Sequence, residues 1–234
     1  MNPLLARSLL TLLLWQAPPS DPPAAPPSAD EIVARLEKAD QARRQSRSGY
    51  VSIREYTVEN TRFRVRATMQ VEVTAEQTGQ KRFRILKTSG PAAIRKLVFQ
   101  RMLDTERRAS APDRQSANRI SRDNYSFQYV GTGDIGGRPH YILQAEPKSK
   151  NPLLFRGRLW IDASHYAVAR IDGAPAQKPS FWVKSTRFVH DYSEVNGQWL
   201  PRENRSDSEI RLFGRSATTI LYGSYSAPPP PAKN

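Results

Sequence analysis

The sequence predicts an α+β protein, a long and strongly twisted antiparallel sheet with two helices on one face. Three observations carry the prediction. From Gly157 to Tyr225, apolar residues recur at every second position in runs separated by turn chemistry, the pattern of antiparallel strands with one covered face. Asn196-Gly197 stands between two of these runs, and a two-residue type I′ turn needs such a pair because both residues take positive φ. Two further segments, opening at Ser28 and Pro91, change to helical spacing. A sheet of this length is wide enough to curl, and helices confined to one face make the class α+β.

The 234 residues suit one domain with tails, and 38% apolar residues suffice for a core. The absence of cysteine excludes a disulfide framework, a thiolate metal site, a thiol nucleophile and a lipidated N-terminal cysteine. A formal charge of +14 implies affinity for something anionic: phospholipid, lipopolysaccharide, nucleic acid or an acidic protein. The N-terminus narrows the choice. Residues 1–17 carry Arg7 and then the apolar run Leu9 to Trp15, a secretory signal pattern too short to span a bilayer comfortably. Ala17 precedes a proline and no clean A-x-A site exists, so an uncleaved inner-membrane anchor stays open. Export argues against nucleic acid as partner and favours membrane lipid or an envelope protein.

Residues 18–27 hold six prolines and read as a semi-rigid linker. The domain is expected over residues 28–226. Ser28-x-x-Glu31 is a capping box, with Asp30 and Glu31 at the positive end of the helix dipole. Ile32, Val33, Leu36 and Ala39 form one stripe, and the helix is expected to end near Gln45. Strands follow at Gly49–Thr57, Arg62–Thr74 and Lys81–Thr88. Gln77-Thr-Gly79 fits a three-residue hairpin whose glycine is left-handed. That loop sets Val73 opposite Phe83, Val71 opposite Ile85 and Glu72 opposite Arg84, so the apolar and polar faces agree across both strands. Pro91 to about Arg108 is the second helix, with Ile94, Leu97, Val98 and Met102 as its stripe and Leu103 widening it. Ala109–Arg122 reads as a polar loop. Asn124–Val130 and His140–Glu146 read as paired strands, and a strand is expected from Ser180 through Phe181 and Val183 to Tyr192. Residues 227–234 are a proline-rich tail.

Motifs for catalysis are not found. Gly131-Thr-Gly133-Asp-Ile-Gly136 matches a dinucleotide fingerprint by letter, but a strand follows it where a helix is required, so it reads as a hairpin turn. His140, His165 and His190 lack metal-ligand spacing. Neither G-x-S-x-G nor S-x-x-K occurs, and Asp162 reads as a structural residue at a hairpin entry. No catalytic residue, metal or cofactor is therefore assigned. The most unusual surface feature is a basic strand face of Arg62, Arg64, Arg66, Arg82 and Arg84. It reads either as a solvated face or as a contact for an anionic membrane surface, where each basic residue contributes about 1 kcal/mol.

The order of these pieces resembles the outer-membrane lipoprotein-sorting proteins, whose fold is shared with the LolA and LolB carriers and the RseB sensor domain. The resemblance rests on Ala29-Asp-Glu-Ile-Val-Ala-Arg-Leu36, Leu159-Trp-Ile-Asp162 with Ala167-Val-Ala-Arg170, and Asn196-Gly-Gln-Trp-Leu-Pro201. It implies an incomplete β-barrel with helices covering its concave face, a periplasmic location, and a cavity for the acyl chains of lipid or lipoprotein, without catalysis. It further implies that Met69, Val71, Val73, Phe83, Ile85, Leu159, Ile161, Phe181 and Val183 line that cavity, with Leu97 and Met102 on a lid. The segment from Pro91 departs from the carriers, which have a proline-glycine loop region there. Two functions follow: an exported lipid or lipoprotein carrier, which an open apolar cavity would support and a filled core would oppose, or an RseB-type regulatory module contacting an envelope anti-sigma or other membrane protein.

Overall fold

The structure, a computed structural model, describes residues 27–228. The expected signal segment, nearly all of the linker and most of the tail lie outside the described residues. The chain begins with α1 (Ala29–Gln45), and Ser28 and Glu31 close the capping box reciprocally. Three strands follow, β1 (Tyr50–Asn60), β2 (Val65–Ala75) and β3 (Lys81–Ser89). A helical segment comes next: α2 (Ala92–Ile94), a π-helical turn at Arg95–Phe99, and α3 (Gln100–Ser110). Seven strands complete the domain: β4 (Tyr125–Ile135), β5 (Arg138–Pro147), β6 (Phe155–Asp162), β7 (Val168–Pro175), β8 (Val183–Val195), β9 (Gln198–Ile210) and β10 (Gly214–Ser226).

All ten strands form one antiparallel sheet in the order β3-β2-β1-β10-β9-β8-β7-β6-β5-β4. The sheet is curved and unclosed. Its edges are β3 and β4, and the helical segment between them in sequence links these edges. The first and last strands pair in the middle, from Val51 with Ser226 to Asn60 with Ser216.

Local chemistry set much of the register. Gly79 takes φ 87°, and Val73 then faces Phe83, Glu72 faces Arg84 and Val71 faces Ile85. Asn196 (φ 51°) and Gly197 (φ 76°) form the two-residue turn between β8 and β9. Other boundaries differ from expectation. Arg62 and Arg64 do not belong to β2; they lie in the β1–β2 turn, where the Asn60 side chain accepts from the Phe63 amide at 3.0 Å and stops the strand. Residues 109–122 are not an open loop. After α3 they form two short 3₁₀ turns, pinned by Asn118 donating to the Ala109 carbonyl and Gln115 donating to the Thr78 carbonyl. In the glycine-rich stretch Gly136 and Gly137 make the β4–β5 turn, whereas Gly131 sits at a bulge within β4.

Both helical segments lie on one face of the sheet, over separate cores. Ile32, Val33 and Leu36 of α1 pack on Tyr125, Leu143, Leu159, Ile161 and Ile171 of strands β4–β7. Phe99 and Leu103 pack on Tyr56, Met69, Val71, Val73 and Ile220 of β1, β2 and β10. The sheet has two distinct ends. The β2–β3 and β8–β9 turns lie at one end with the start of β1. The β1–β2 and β9–β10 turns lie at the other.

Candidate functional site

Between the two cores, the covered face turns polar. Strand alternation places Ser52, Arg54 and Tyr56 of β1 inward, and Arg54 is fully buried. Its neighbour across β10 is Tyr222, whose ring lies 4.6 Å below the guanidinium. The next inward row crosses His190 on β8, Asn204 on β9, Ile220 on β10, Tyr56 on β1 and Met69 on β2.

Glu106 reaches into this belt from α3. One carboxylate oxygen accepts from Arg54 Nη1 and from Lys81 Nζ, both at 2.7 Å. Burial pushes the Glu106 carboxyl up, but Lys81 and Arg54 outweigh it and hold the pKa at about 2. Burial also dominates the neighbours: His190 is pushed down to about 4, and Tyr56 and Tyr192 are pushed up to about 12. Burial also raises the Tyr222 hydroxyl well above its ordinary value. All four therefore stay neutral at pH 7, while Arg54, Lys81 and Glu106 carry the charge. Ser52 Oγ, Arg54 Nε, Tyr56 Oη and Asn204 Oδ1 are buried without hydrogen-bond partners among the described residues.

Beside this triad lies a cavity of about 500 Å³, bounded by α1, α3, the 3₁₀ turns and the sheet end that holds the β8–β9 turn. Lys81 and Glu106 form part of its wall. Leu36, Ile120, Val168 and Leu200 contribute apolar surface, with Tyr192 and Trp199. Arg43, Arg44, Arg47 and Arg119 stand around it. Arg44 pairs with Asp40, and Arg43 donates to the backbone carbonyls of His165 and Tyr166. Arg47 and Arg119 make no ion pair among the described residues.

None of the eleven apolar residues expected to line a cavity lines this one. Met69, Val71 and Val73 are buried beneath Phe99 and Leu103, with Phe83 and Met102 half-buried beside them. Leu159 and Ile161 are buried beneath α1. Ile85, on edge strand β3, is 48% exposed, and Leu97 is 58% exposed on the π turn. Val183 is half-buried at the start of β8. Phe181 is not on the covered face at all; it is 74% exposed in the β7–β8 connection. The apolar stripes were legible, but helices fill the surface they mark.

The basic strand face is also changed. Arg66, Arg82 and Arg84 face solvent but pair with Glu59, Glu76 and Glu72 at 3.5, 3.4 and 2.8 Å. Arg62 and Arg64 lie apart from them, in the turn.

Sequence spacing missed two groupings. Arg54, Lys81 and Glu106 come from three elements, and only tertiary packing unites them. His140 and His165 both meet Asp162, at 3.9 and 3.1 Å, because β5 pairs His140 with Asp162 while the β6–β7 turn returns His165. Asp162 also accepts from the Ser164 and His165 amides and pairs with Arg138 at 3.0 Å. It fixes that turn, as its position in the sequence suggests.

No helix among the described residues is long and apolar enough to cross a membrane. No curated protein matches the chain. Among solved structures it is similar to a LolA superfamily protein from Nitrosomonas europaea, at TM-score 0.46 and 10% identity, over 88% of this chain and 96% of that one. It is also similar to a DUF1329 family protein from Desulfovibrio piger, at TM-score 0.43 and 12% identity, over 88% and 95%. A third neighbour is the lipoprotein LppX of Mycobacterium tuberculosis, at TM-score 0.29 and 10% identity, over 86% and 98%. In sequence, residues 34–227 match a family described only as a family of unknown function, DUF5686. That match spans most of the chain, and the protein belongs to the DUF5686 family.

Proposed function

We propose that the protein is an exported, non-catalytic carrier of the cell envelope that holds the acyl portion of a lipid or lipidated protein between α1, α3 and the sheet. The observation that carries this reading is the cavity of about 500 Å³ at the junction of the two helical layers. Ligand sites commonly enclose about 300–1,000 Å³. Leu36, Ile120, Val168 and Leu200 supply a surface on which each buried methylene contributes about 0.8 kcal/mol. Arg47 and Arg119 favour an anionic head group at the rim.

A closed apolar core beneath α3 does not oppose this reading if the helical segment lifts. Among its side chains only Phe99, Leu103 and Ser110 are buried. It is interrupted by a π turn, a feature frequent at functional sites. Segments with few buried contacts open first, and lifting α3 would also have to break the Glu106 pairs with Arg54 and Lys81. Opening would add the Met69, Val71 and Val73 surface to the cavity.

The test is native and then denaturing mass spectrometry of the purified protein, with organic extraction of what is released. Phospholipid or an acylated peptide at near one per chain, lost on Ala109→Trp at the cavity wall, supports the carrier. A protein that purifies bare and takes up no fluorescent fatty acid refutes it. A stable complex with an envelope protein, and no lipid, would favour the regulatory module instead.

A further inference from the structure

The sheet end opposite the cavity carries the largest group of exposed apolar side chains. Phe63 lies in the β1–β2 turn, Phe181 and Trp182 in the β7–β8 connection, and Leu212 and Phe213 in the β9–β10 turn. Each is between 51% and 74% exposed. They sit together because these turns are tied. Phe63 and Phe213 meet edge to face at 5.8 Å. Arg62 donates to the Leu212 carbonyl at 2.9 Å, and the Arg211 amide donates to the Trp182 carbonyl at 2.7 Å. The Arg211 guanidinium lies 4.7 Å from the Phe181 ring centre.

Two features set this tip apart from scattered surface residues. Leu212 occupies the left-handed region, at φ 68°. Glycine or asparagine would serve that position at less cost, yet the chain places a leucine there and exposes it. The second feature is charge. Arg62, Arg64, Lys178 and Arg211 stand on the same turns, and none has an acidic partner among the described residues. The acids of the adjoining strands are already engaged, Glu209 by Lys184 and Asp207 by Arg215.

We infer that this tip is a docking surface for an anionic phospholipid bilayer: Phe63, Phe181, Trp182, Leu212 and Phe213 enter the interface while Arg62, Arg64, Lys178 and Arg211 meet the head groups. Tryptophan and phenylalanine ringed by arginine and lysine suit that boundary. The apolar side chains project from three separate turns. Unopposed cations complement lipid phosphate at about 1 kcal/mol each, or about fivefold in affinity. The inference is independent of the cavity ligand, since the tip can bind vesicles whether or not the cavity is filled.

The experiment is sedimentation of the full chain with vesicles of phosphatidylcholine alone or with 30 mol% (about one lipid in three) phosphatidylglycerol, read with bromolipid quenching of tryptophan fluorescence. We expect binding only to the anionic vesicles, weakened by salt. Phe181→Ser with Leu212→Asn should weaken it at least tenfold, and asparagine is tolerated at the left-handed position, so the thermal midpoint should hold. Arg64→Gln, Lys178→Gln and Arg211→Gln together should weaken it about a hundredfold, at about fivefold per charge. Trp182→Phe should keep binding but lose most of the quenching. Absence of binding, equal binding to both vesicles, or binding that the Phe181–Leu212 pair of changes and the triple charge change both leave unaltered would overturn the inference. So would tip variants that abolish capture of an envelope protein while vesicle binding persists.

Discussion

Glu106→Gln should be among the most damaging single polar changes in the domain. Arg54 is fully buried, its Nε has no partner, and Glu106 is its only anionic neighbour among the described residues. Removing one partner of a buried ion pair costs about 3–5 kcal/mol, because the remaining charge is left uncompensated. Here the lower end applies. Glu106 keeps 24% of its side-chain surface exposed, and the Tyr222 ring still faces the guanidinium. A loss of about 3 kcal/mol lowers the melting temperature of a domain this size by about 6–12 °C. Urea unfolding followed by circular dichroism measures it, with Arg54→Met, Glu106→Leu and the Arg54→Met, Glu106→Leu double variant forming a separate cycle. The double variant should recover most of the loss, since apolar replacement of a buried pair is often neutral or stabilising. A Glu106→Gln loss under about 1 kcal/mol would mean that Arg54 is hydrated in the native state, and the reading of this pair as a buried contact between α3 and the sheet would fail.

Three further outcomes can be checked. Stability should fall in two stages as the solution is acidified. His190, depressed to about 4, contributes stability above its unfolded value near 6.5 that is lost as pH falls toward 4. Glu106, held at about 2, loses its contribution between about pH 4.5 and 2. His190→Gln should flatten the first stage in unfolding midpoints measured across pH. Ser28→Ala removes the cap of α1, and thermal melts should register about 1 kcal/mol of destabilisation. Gly157→Ala should cost at least about 2 kcal/mol, because a Cβ there would lie 2.2 Å from the Asp172 carbonyl oxygen at φ 152°; unchanged urea midpoints would contradict the register of β6 and β7.

Local rules made much of the fold legible. The capping box, the glycine of the β2–β3 turn and Asn196-Gly197 act over a few residues, and each fixed its element. What escaped depends on distant partners. The pairing of β1 with β10 joins the two ends of the domain, and no short pattern records it. Arg54 escaped notice because strand alternation does not say that α3 will bring a carboxylate over it. Phe181-Trp182 reads as strand because it is apolar, yet β7 and β8 pair only from Arg170–Asp191 to Gly173–Phe188, leaving the connection to project. The cavity followed the same logic: apolar stripes locate where a helix rests as readily as where a ligand could lie.

Strand β1 starts beside the cavity at Tyr50 and ends at Asn60, where the aromatic tip begins. Its 11 residues, at about 3.4 Å each, separate the two by up to about 37 Å. With the tip seated in a bilayer, the cavity would stand up to that height above it. An acyl chain leaving the cavity would then have more water to cross than a leaflet is thick before returning to the same membrane. Cargo would have to pass to a recipient reaching down from across the aqueous gap, and the curved sheet would serve as a fixed pillar of the relay.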